Sequence, residues 1–200
     1  FVANDGTNGK ELWKSDGTSS GTVMIKDINS GSGGSSPNGL TAVGNILYFA
    51  ADDGVNGTEL WKSDGTASGT LLVKDINSGS GDSNPWDFTA VGNILYFRAN
   101  DGANGYELWK SDGTASGTVM VKDINSAGAS PSFLTALGNT LFFQASDGAN
   151  GYELWKSDGT ETGTMMVKDI YSGSDDSYPT HLTAIGNTLY FSADDGTNGY

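Results

Sequence analysis

Short apolar runs separated by glycine-rich turns follow one another along the whole chain. In one stretch these runs cover residues 88–91, 94–99, 106–111 and 118–124. The turns between them contain Gly-Asn, Asn-Gly or Asp-Gly pairs, which accept a positive φ at little cost and are typical of β-hairpins. No run has the 3.6-residue period or the capping residues of an α-helix. The pattern therefore predicts an all-β protein built from units of four short strands.

The second strand of each unit has large apolar side chains on both of its faces. It reads ILYFRA at residues 94–99, and the equivalent strands read ILYFAA, TLFFQA and TLYFSA. A sheet with one face in water would alternate apolar and polar residues instead, so each sheet must be covered on both sides. Four-stranded antiparallel sheets that repeat every 40 to 50 residues or so and cover one another are typical of β-propeller blades. We therefore predict a β-propeller.

The octet ELWKSDGT occurs four times and defines the repeat. Its tryptophans lie 48, 48 and 46 residues apart, at Trp13, Trp61, Trp109 and Trp155. The two residues missing from the third interval fall in the Ser/Gly-rich segment before Pro131, where changes in length cost little. We expect a single domain over residues 1–200, either complete or a window on a longer array. Its predicted parts are a half-blade at 1–36, blades at about 37–84, 85–130 and 131–178, and a half-blade at 179–200.

The composition indicates a folded, acidic chain and excludes some partners. Hydrophobic residues make up 36% and aromatic residues 10%, which is more than a disordered chain carries. The net charge of -14 argues against nucleic acid, because such proteins use Lys and Arg to contact phosphates. No run approaches the roughly 18 apolar residues of a membrane helix, so we expect no membrane insertion. The absence of cysteine removes disulfides and thiolate chemistry.

The repeat resembles a known family. Its pattern, ELWKSDGT..GT..VKDI followed by P..LTA.GN.LYF, is similar to the ELWxxDGT repeat, a family of bacterial propeller-forming repeats in large secreted or surface proteins. The resemblance covers essentially the whole chain. It implies a propeller fold and an extracellular or cell-surface location, but it implies no reaction, since propellers host many unrelated functions.

Most repeated residues are predicted to have structural roles. The Asp-Gly pair of each octet is expected to form a hairpin turn in which the Asp accepts backbone N–H bonds and the Gly takes a positive φ. The Trp of each octet is expected to pack between blades. Glu59 and Lys62 should each meet a charge at a solvated edge, and Lys74 and Asp75 should lie on the outer surface. The predicted turn residues are Asp16, Gly17, Asp64, Gly65, Asp112, Gly113, Asp158 and Gly159.

Two sets of residues are candidates for binding. Asp53, Asn56 and Glu59 supply oxygen atoms of the kind that Ca²⁺ prefers, although the turn that holds them needs no metal. No other cofactor is expected. Trp86, Tyr106 and Tyr152 are candidates for stacking on sugars, which would make the protein a lectin-like propeller with glycan sites between blades.

We predict no enzymatic activity. General acid/base catalysis usually needs a group that titrates near neutrality, and the single histidine, His181, occurs in only one unit. The repeated carboxylates occur in every unit, whereas an active site needs broken symmetry. The function predicted first is therefore a non-enzymatic extracellular structural or interaction module. It would serve adhesion or assembly, through self-association or through another surface protein or glycan.

The two ends of the chain carry the same part of the repeat. Residues 1–10 and 191–200 match, and Phe1 and Phe191 lie four periods apart. Three arrangements are open: a closed four-bladed ring, a segment of a larger ring, or half-blades that complete one another between molecules. The last would give a head-to-tail filament, because an unpaired strand edge is a template for strand addition.

Overall fold

The computed structural model describes residues 1–200, which form seventeen β-strands and no helix. The strands build five antiparallel sheets in chain order. Sheet 1 contains β1 (Val2–Asn4), β2 (Lys10–Lys14) and β3 (Val23–Lys26), and sheet 2 contains β4 (Asn38–Val43), β5 (Ile46–Asp52), β6 (Thr58–Ser63) and β7 (Leu71–Lys74). Sheet 3 contains β8 (Trp86–Val91), β9 (Ile94–Asn100), β10 (Tyr106–Ser111) and β11 (Val119–Lys122). Sheet 4 contains β12 (Ser132–Leu137), β13 (Thr140–Ser146), β14 (Tyr152–Ser157) and β15 (Met165–Lys168), and sheet 5 contains β16 (Thr180–Ile185) and β17 (Thr188–Ser192).

Gly-Asn turns join the first two strands of sheets 2 to 5, as predicted, whereas residues 5–9 join β1 to β2 in sheet 1. Val43 pairs with Ile46, so the loop between β4 and β5 has two residues. Gly44 takes a φ of 60° at its first position, which is typical of a type II′ turn. The all-β class and the four-stranded antiparallel unit are therefore confirmed. Sheet 1, where a half-blade of two strands was predicted, has the short strand β1 as a third strand.

The sheets pack face to face in a row. In each middle sheet, neighbouring residues of the second strand point to opposite sides: Phe97 packs against sheet 2, while Tyr96 packs against sheet 4. Each inner strand contacts the next, from β4 through β8 and β12 to β16. The prediction that each sheet is covered on both sides is correct for sheets 2 and 3, whereas sheet 5 covers only the inner strands of sheet 4. No strand of sheet 5 pairs with sheet 1, so the row is open.

No helix in the structure has the length and apolar character that a membrane crossing needs.

Candidate functional site

The Asp-Gly turn of each octet is held by its own side chains. Asp64 accepts hydrogen bonds from the Thr66 backbone N–H at 2.8 Å and from the Thr66 hydroxyl at 2.7 Å. Gly65 has a φ of 87°, and a Cβ on Gly69 would collide with the Asp64 carboxylate. The other three copies have the same bonds. The four aspartates are exposed, and one oxygen of each carboxylate accepts the hydrogen bonds of the turn.

The turn hydrogen bonds predict a specific response to acid. The Thr66 hydroxyl and backbone N–H hold the pKa of Asp64 below its usual value, and the same holds for Asp16, Asp112 and Asp158. Since the pKa is lower in the folded state, the stability these bonds contribute is present above the unfolded pKa of about 3.9 and is lost as the pH falls through the folded value. A variant with all four aspartates changed to asparagine, which keeps the acceptor oxygen, should therefore lose less thermal stability between pH 6 and pH 2. Circular dichroism melting of both proteins tests this, and parallel pH curves would contradict it.

Each octet glutamate is buried and holds the connection that follows its sheet. Glu59 has no exposed surface. One carboxylate oxygen accepts bonds from the Ile76 N–H at 2.9 Å and the Ser83 hydroxyl at 2.6 Å. The other accepts from the Asn77 N–H at 3.2 Å and the Ser83 N–H at 3.1 Å. The prediction that Glu59 meets a charge at a solvated edge is wrong, because the irregular connection has N–H groups that need a buried acceptor. Glu11, Glu107 and Glu153 have the same role.

The octet lysine and the lysine of the fourth strand join neighbouring sheets. The Lys62 ammonium donates to the carbonyl of Gly113 in the next sheet at 2.8 Å. The Lys74 ammonium donates to the carbonyl of Thr118 at 2.8 Å and lies 5.7 Å from the centre of the Trp109 ring. The predicted solvated-edge role of Lys62 is therefore wrong, and so is the predicted outer-surface role of Lys74. Asp75, also half-buried, accepts from the Gly79 N–H in its own loop.

Three of the four octet tryptophans lie between sheets. Trp61, Trp109 and Trp155 are each 6% exposed. Each belongs to one of three buried apolar clusters, which lie between sheets 1 and 2, 2 and 3, and 3 and 4. Trp13 lies at the outer side of sheet 1, where its ring is 6.5 Å from that of Phe1. It is half-buried, because no further sheet covers it. The glutamate, lysine and tryptophan of the octet thus act beyond their own strand, on the connecting loop or on a neighbouring sheet, whereas the aspartate acts within its own turn.

The three candidate calcium ligands do not come together. Asp53 uses its carboxylate within its own turn, accepting from the Val55 and Asn56 N–H groups and from the Asn56 side chain at 2.7 to 2.9 Å. Glu59 points into its buried loop site instead. The structure has no group of three or more His, Asp or Glu residues placed to hold a metal ion.

Two of the three candidate ligand-binding aromatics lie in one cleft between sheets 2 and 3. This cleft, of about 330 Å³, is named the aromatic cleft here; Asn38, Thr58, Asn84, Pro85, Trp86, Arg98 and Tyr106 line it. Trp86 is 53% exposed, whereas the inter-sheet tryptophans are almost covered. The third candidate, Tyr152, stacks on Tyr178 instead, with ring centres 5.7 Å apart.

Arg98 is a member of the cleft that sequence reasoning missed. It is the cross-strand partner of Trp86, and its guanidinium lies 5.2 Å from the centre of the Tyr106 ring. Its Nε atom is buried and has no hydrogen-bond partner. A signal was present in the sequence, because Arg98 is the only arginine and stands where the other copies have Ala50, Gln144 and Ser192.

The repeats differ most at positions around this cleft and its equivalents. The position that Trp86 occupies in sheet 3 is occupied by Asn38, Ser132 and Thr180 in sheets 2, 4 and 5. Non-glycine residues with positive φ also concentrate here, and a left-handed backbone costs such a residue about 1–2 kcal/mol. Strain of this kind is frequent at functional sites. The residues are Ser36, Asn84, Asp87, Ser130, Phe133, Tyr178 and His181.

The outer sheets of the row have apolar residues without a partner. In sheet 5, Tyr190 is 56% and Phe191 39% exposed, whereas the equivalent Tyr48 and Phe49 of sheet 2 are 4% and 0% exposed. Val167 of sheet 4 is 45% exposed against 6% for Val73. Beside sheet 1, an open groove of about 500 Å³ lies next to the first hairpin of sheet 2; its lining includes Phe1, Trp13, Ile25, Ile46 and Leu47.

No protein-family model matches the chain, and no curated protein matches it. Among solved structures, puromycin hydrolase has a similar fold. One crystal structure, of a mutant complexed with PGG, is 17% identical over 91% of this chain with a TM-score of 0.55. Another is 16% identical over 96% with a TM-score of 0.54. The chain spans only 29% and 31% of those two chains, and identity this low supports a likeness of fold alone.

Proposed function

We propose that the chain is a non-enzymatic interaction module, made of β-propeller blades, that assembles by sheet completion between copies. In this proposal the two-stranded sheet 5 of one copy fills the groove of sheet 1 in another. The resemblance of its repeats supports an extracellular or cell-surface location as part of this proposal. The observation that carries the proposal is that the same side chains are buried inside the row and exposed at its two outer sheets.

Identical inter-sheet contacts support the propeller arrangement. Sheet 2 meets sheet 3 through the same residue types that join sheets 3 and 4. Repetition of one contact relates successive sheets by one rotation, and such a row closes into a ring or continues as a helical array. The likeness of fold to part of a longer chain agrees with this.

The two outer sheets are complementary in strand content. Sheet 1 has no counterpart of β4 or of the first half of β5, and sheet 5 is a hairpin of that kind without outer strands. In sheet 2, Leu47 pairs with Ser63 and Tyr48 pairs with Lys62. The same register would place Leu189 opposite Ser15 and Tyr190 opposite Lys14 of a second copy. Residues 191–200, which duplicate residues 1–10, would lie outside the completed sheet.

The faces next to these sheets are complementary as well. Inside the row, lysines equivalent to Lys156 and Lys168 donate to carbonyl groups of the next sheet. In the assembly their acceptors would be the carbonyls of Gly17 and Thr22 of the second copy. Trp13 of that copy would cover Val167, as Trp109 covers Val73. The interface would therefore repeat one that the molecule already uses three times.

The repeated carboxylates support a role without catalysis. Glu59 and Asp64 accept hydrogen bonds from their own loop and turn, as do their equivalents. These groups therefore act on the chain's own loops and turns in every repeat, which supports a structural role for them.

The assembly is tested by light scattering and electron microscopy over a range of protein concentrations. We expect mass to grow with concentration, as closed dimers or as filaments. Tyr190→Asp should keep the chain monomeric with an unchanged melting temperature, because Tyr190 is largely exposed within one copy. Val55→Asp, at a turn residue that is 71% exposed, is the matched control and should assemble normally. A wild-type chain that stays monomeric at its highest soluble concentration would refute the proposal.

A further inference from the structure

We propose that the aromatic cleft binds a carboxylate-bearing saccharide, with Trp86 as the stacking surface and Arg98 as the carboxylate ligand. The cleft lies between sheets 2 and 3, away from the groove of sheet 1 and from sheet 5. The inference therefore does not depend on assembly.

Trp86 provides an apolar surface beside polar groups. Its side chain is 53% exposed although the other inter-sheet tryptophans are buried, so packing does not account for it. A pyranose ring has an apolar C–H face and a polar rim. The indole suits the face, and the polar groups that line the cleft, Asn38, Thr58 and Asn84, suit the rim.

Arg98 gives the cleft a preference for an anion. Its contact with the Tyr106 ring holds the guanidinium in a defined orientation. Its buried Nε lacks an acceptor, and an unsatisfied buried donor costs about 1–3 kcal/mol. A ligand carboxylate offers two oxygens that match the planar fork of a guanidinium. Such a group would bond to the terminal nitrogens of the guanidinium, which donate no hydrogen bond within the chain and, unlike Nε, are not buried.

The neighbouring acid does not take this role. Asp87 follows Trp86, and its carboxylate accepts from the Leu134 N–H of sheet 4 at 3.1 Å. Burial raises the pKa of Asp87, while its hydrogen bonds to the chain around Leu134 and the positive charge of Arg98 act in the opposite direction. The carboxylate thus makes its hydrogen bond to the next sheet and none to Arg98, which it meets only through the longer-range attraction of the two charges.

The site occurs once in the chain. In sheet 4 the equivalent pair closes on itself, since the Ser132 hydroxyl donates to the Gln144 side chain at 2.8 Å. In sheet 2 the pair is Asn38 and Ala50, which offers neither a stacking surface nor a charge. A cleft of about 330 Å³ is at the small end of ligand sites, so it suits one terminal sugar. The expected stoichiometry is one saccharide per chain.

Titration calorimetry with a disaccharide that ends in glucuronic acid tests the site, with its glucose counterpart as the neutral probe. The Tyr190→Asp variant is the sample, so that assembly does not interfere. We expect one site that prefers the acidic sugar. Trp86→Ala should lower the affinity for both sugars at least 10-fold. Arg98→Gln should lower the affinity for the acidic sugar about 10- to 100-fold and leave the affinity for the neutral sugar nearly unchanged.

Ser132→Ala, at the position equivalent to Trp86, is the control and should bind like the parent. Melting temperatures of all variants exclude loss of folding. Three results would overturn the inference: no binding of either sugar, unchanged affinity for the acidic sugar in Arg98→Gln, or tighter binding of a short Asp/Glu peptide than of the sugar. Failure here with normal assembly of the wild type would leave the proposed function intact.

Discussion

Replacing Glu59 with alanine should lower the free energy of unfolding by about 3–5 kcal/mol. The carboxylate has no exposed surface and accepts four hydrogen bonds, from Ile76, Asn77 and twice from Ser83. Without it these donors remain buried and unpaired, and the loop that leads from sheet 2 to sheet 3 loses its anchor. Urea unfolding followed by circular dichroism measures the change.

The third repeat provides a natural control for this prediction. There Ala129 stands in the place of Ser83, so Glu107 accepts from three backbone N–H groups and from no hydroxyl. Glu107→Ala should therefore cost about 1 kcal/mol less than Glu59→Ala. Ser83→Ala, which removes the same hydroxyl from the second repeat, should lower the free energy of unfolding by a similar amount. A loss below about 1 kcal/mol for Glu59→Ala would show that the loop does not depend on its carboxylate.

The effect of Glu59→Ala should also depend on pH. Burial raises the pKa of Glu59, while the Ser83 hydroxyl and the backbone N–H groups partly oppose that shift. For a carboxyl whose folded pKa is raised, the stabilisation is fully present below the unfolded pKa of about 4.3 and declines as the pH rises through the folded value. The alanine variant should therefore lose more stability at pH 4 than at pH 7, and the opposite order would contradict the direction of the shift.

Replacing Trp109 with alanine should lower the free energy of unfolding by about 3–5 kcal/mol. The ring is 6% exposed and packs in one cluster with Leu60 and Val73 of the preceding sheet. It also lies under the Lys74 ammonium at 5.7 Å, a contact that the substitution removes. Deleting this side chain leaves a cavity between sheets 2 and 3 that the strands cannot easily close.

Trp13→Ala is the matched control, because Trp13 occupies the same place in the repeat but is half-buried at the outer side of sheet 1. In the monomer, Trp13→Ala should lower the free energy of unfolding by less than half as much as Trp109→Ala. In the assembly proposed above, Trp13→Ala should instead weaken association. Equal losses of stability for the two variants in monomeric protein would show that the inter-sheet position of Trp109 contributes little. Urea unfolding measured on the Tyr190→Asp background separates the two effects.

The strands and hairpins could be predicted from the sequence because their causes are local. The turn at Gly44 and Asn45 needs only a residue that accepts a positive φ. The strand at residues 94–99 has apolar side chains on both faces, which indicates that the sheet is covered on both sides. The four identical octets further determined that the unit repeats. These features depend on contacts between residues that are close along the chain.

The roles of Glu59, Lys62 and Arg98 were decided by the tertiary structure. Glu59 bonds to Ser83, 24 residues away, and Lys62 bonds to Gly113, 51 residues away, so neither partner can be identified from strand periodicity. A charged residue in a short strand predicts a solvated edge unless the fold brings buried N–H or carbonyl groups to it. Arg98, Trp86 and Tyr106 meet because three strands of one sheet place them side by side at the same end. The sequence alone thus determined the repeating unit through local backbone preferences, whereas the packing of one sheet against the next determined which of its polar groups are buried and which line the cleft.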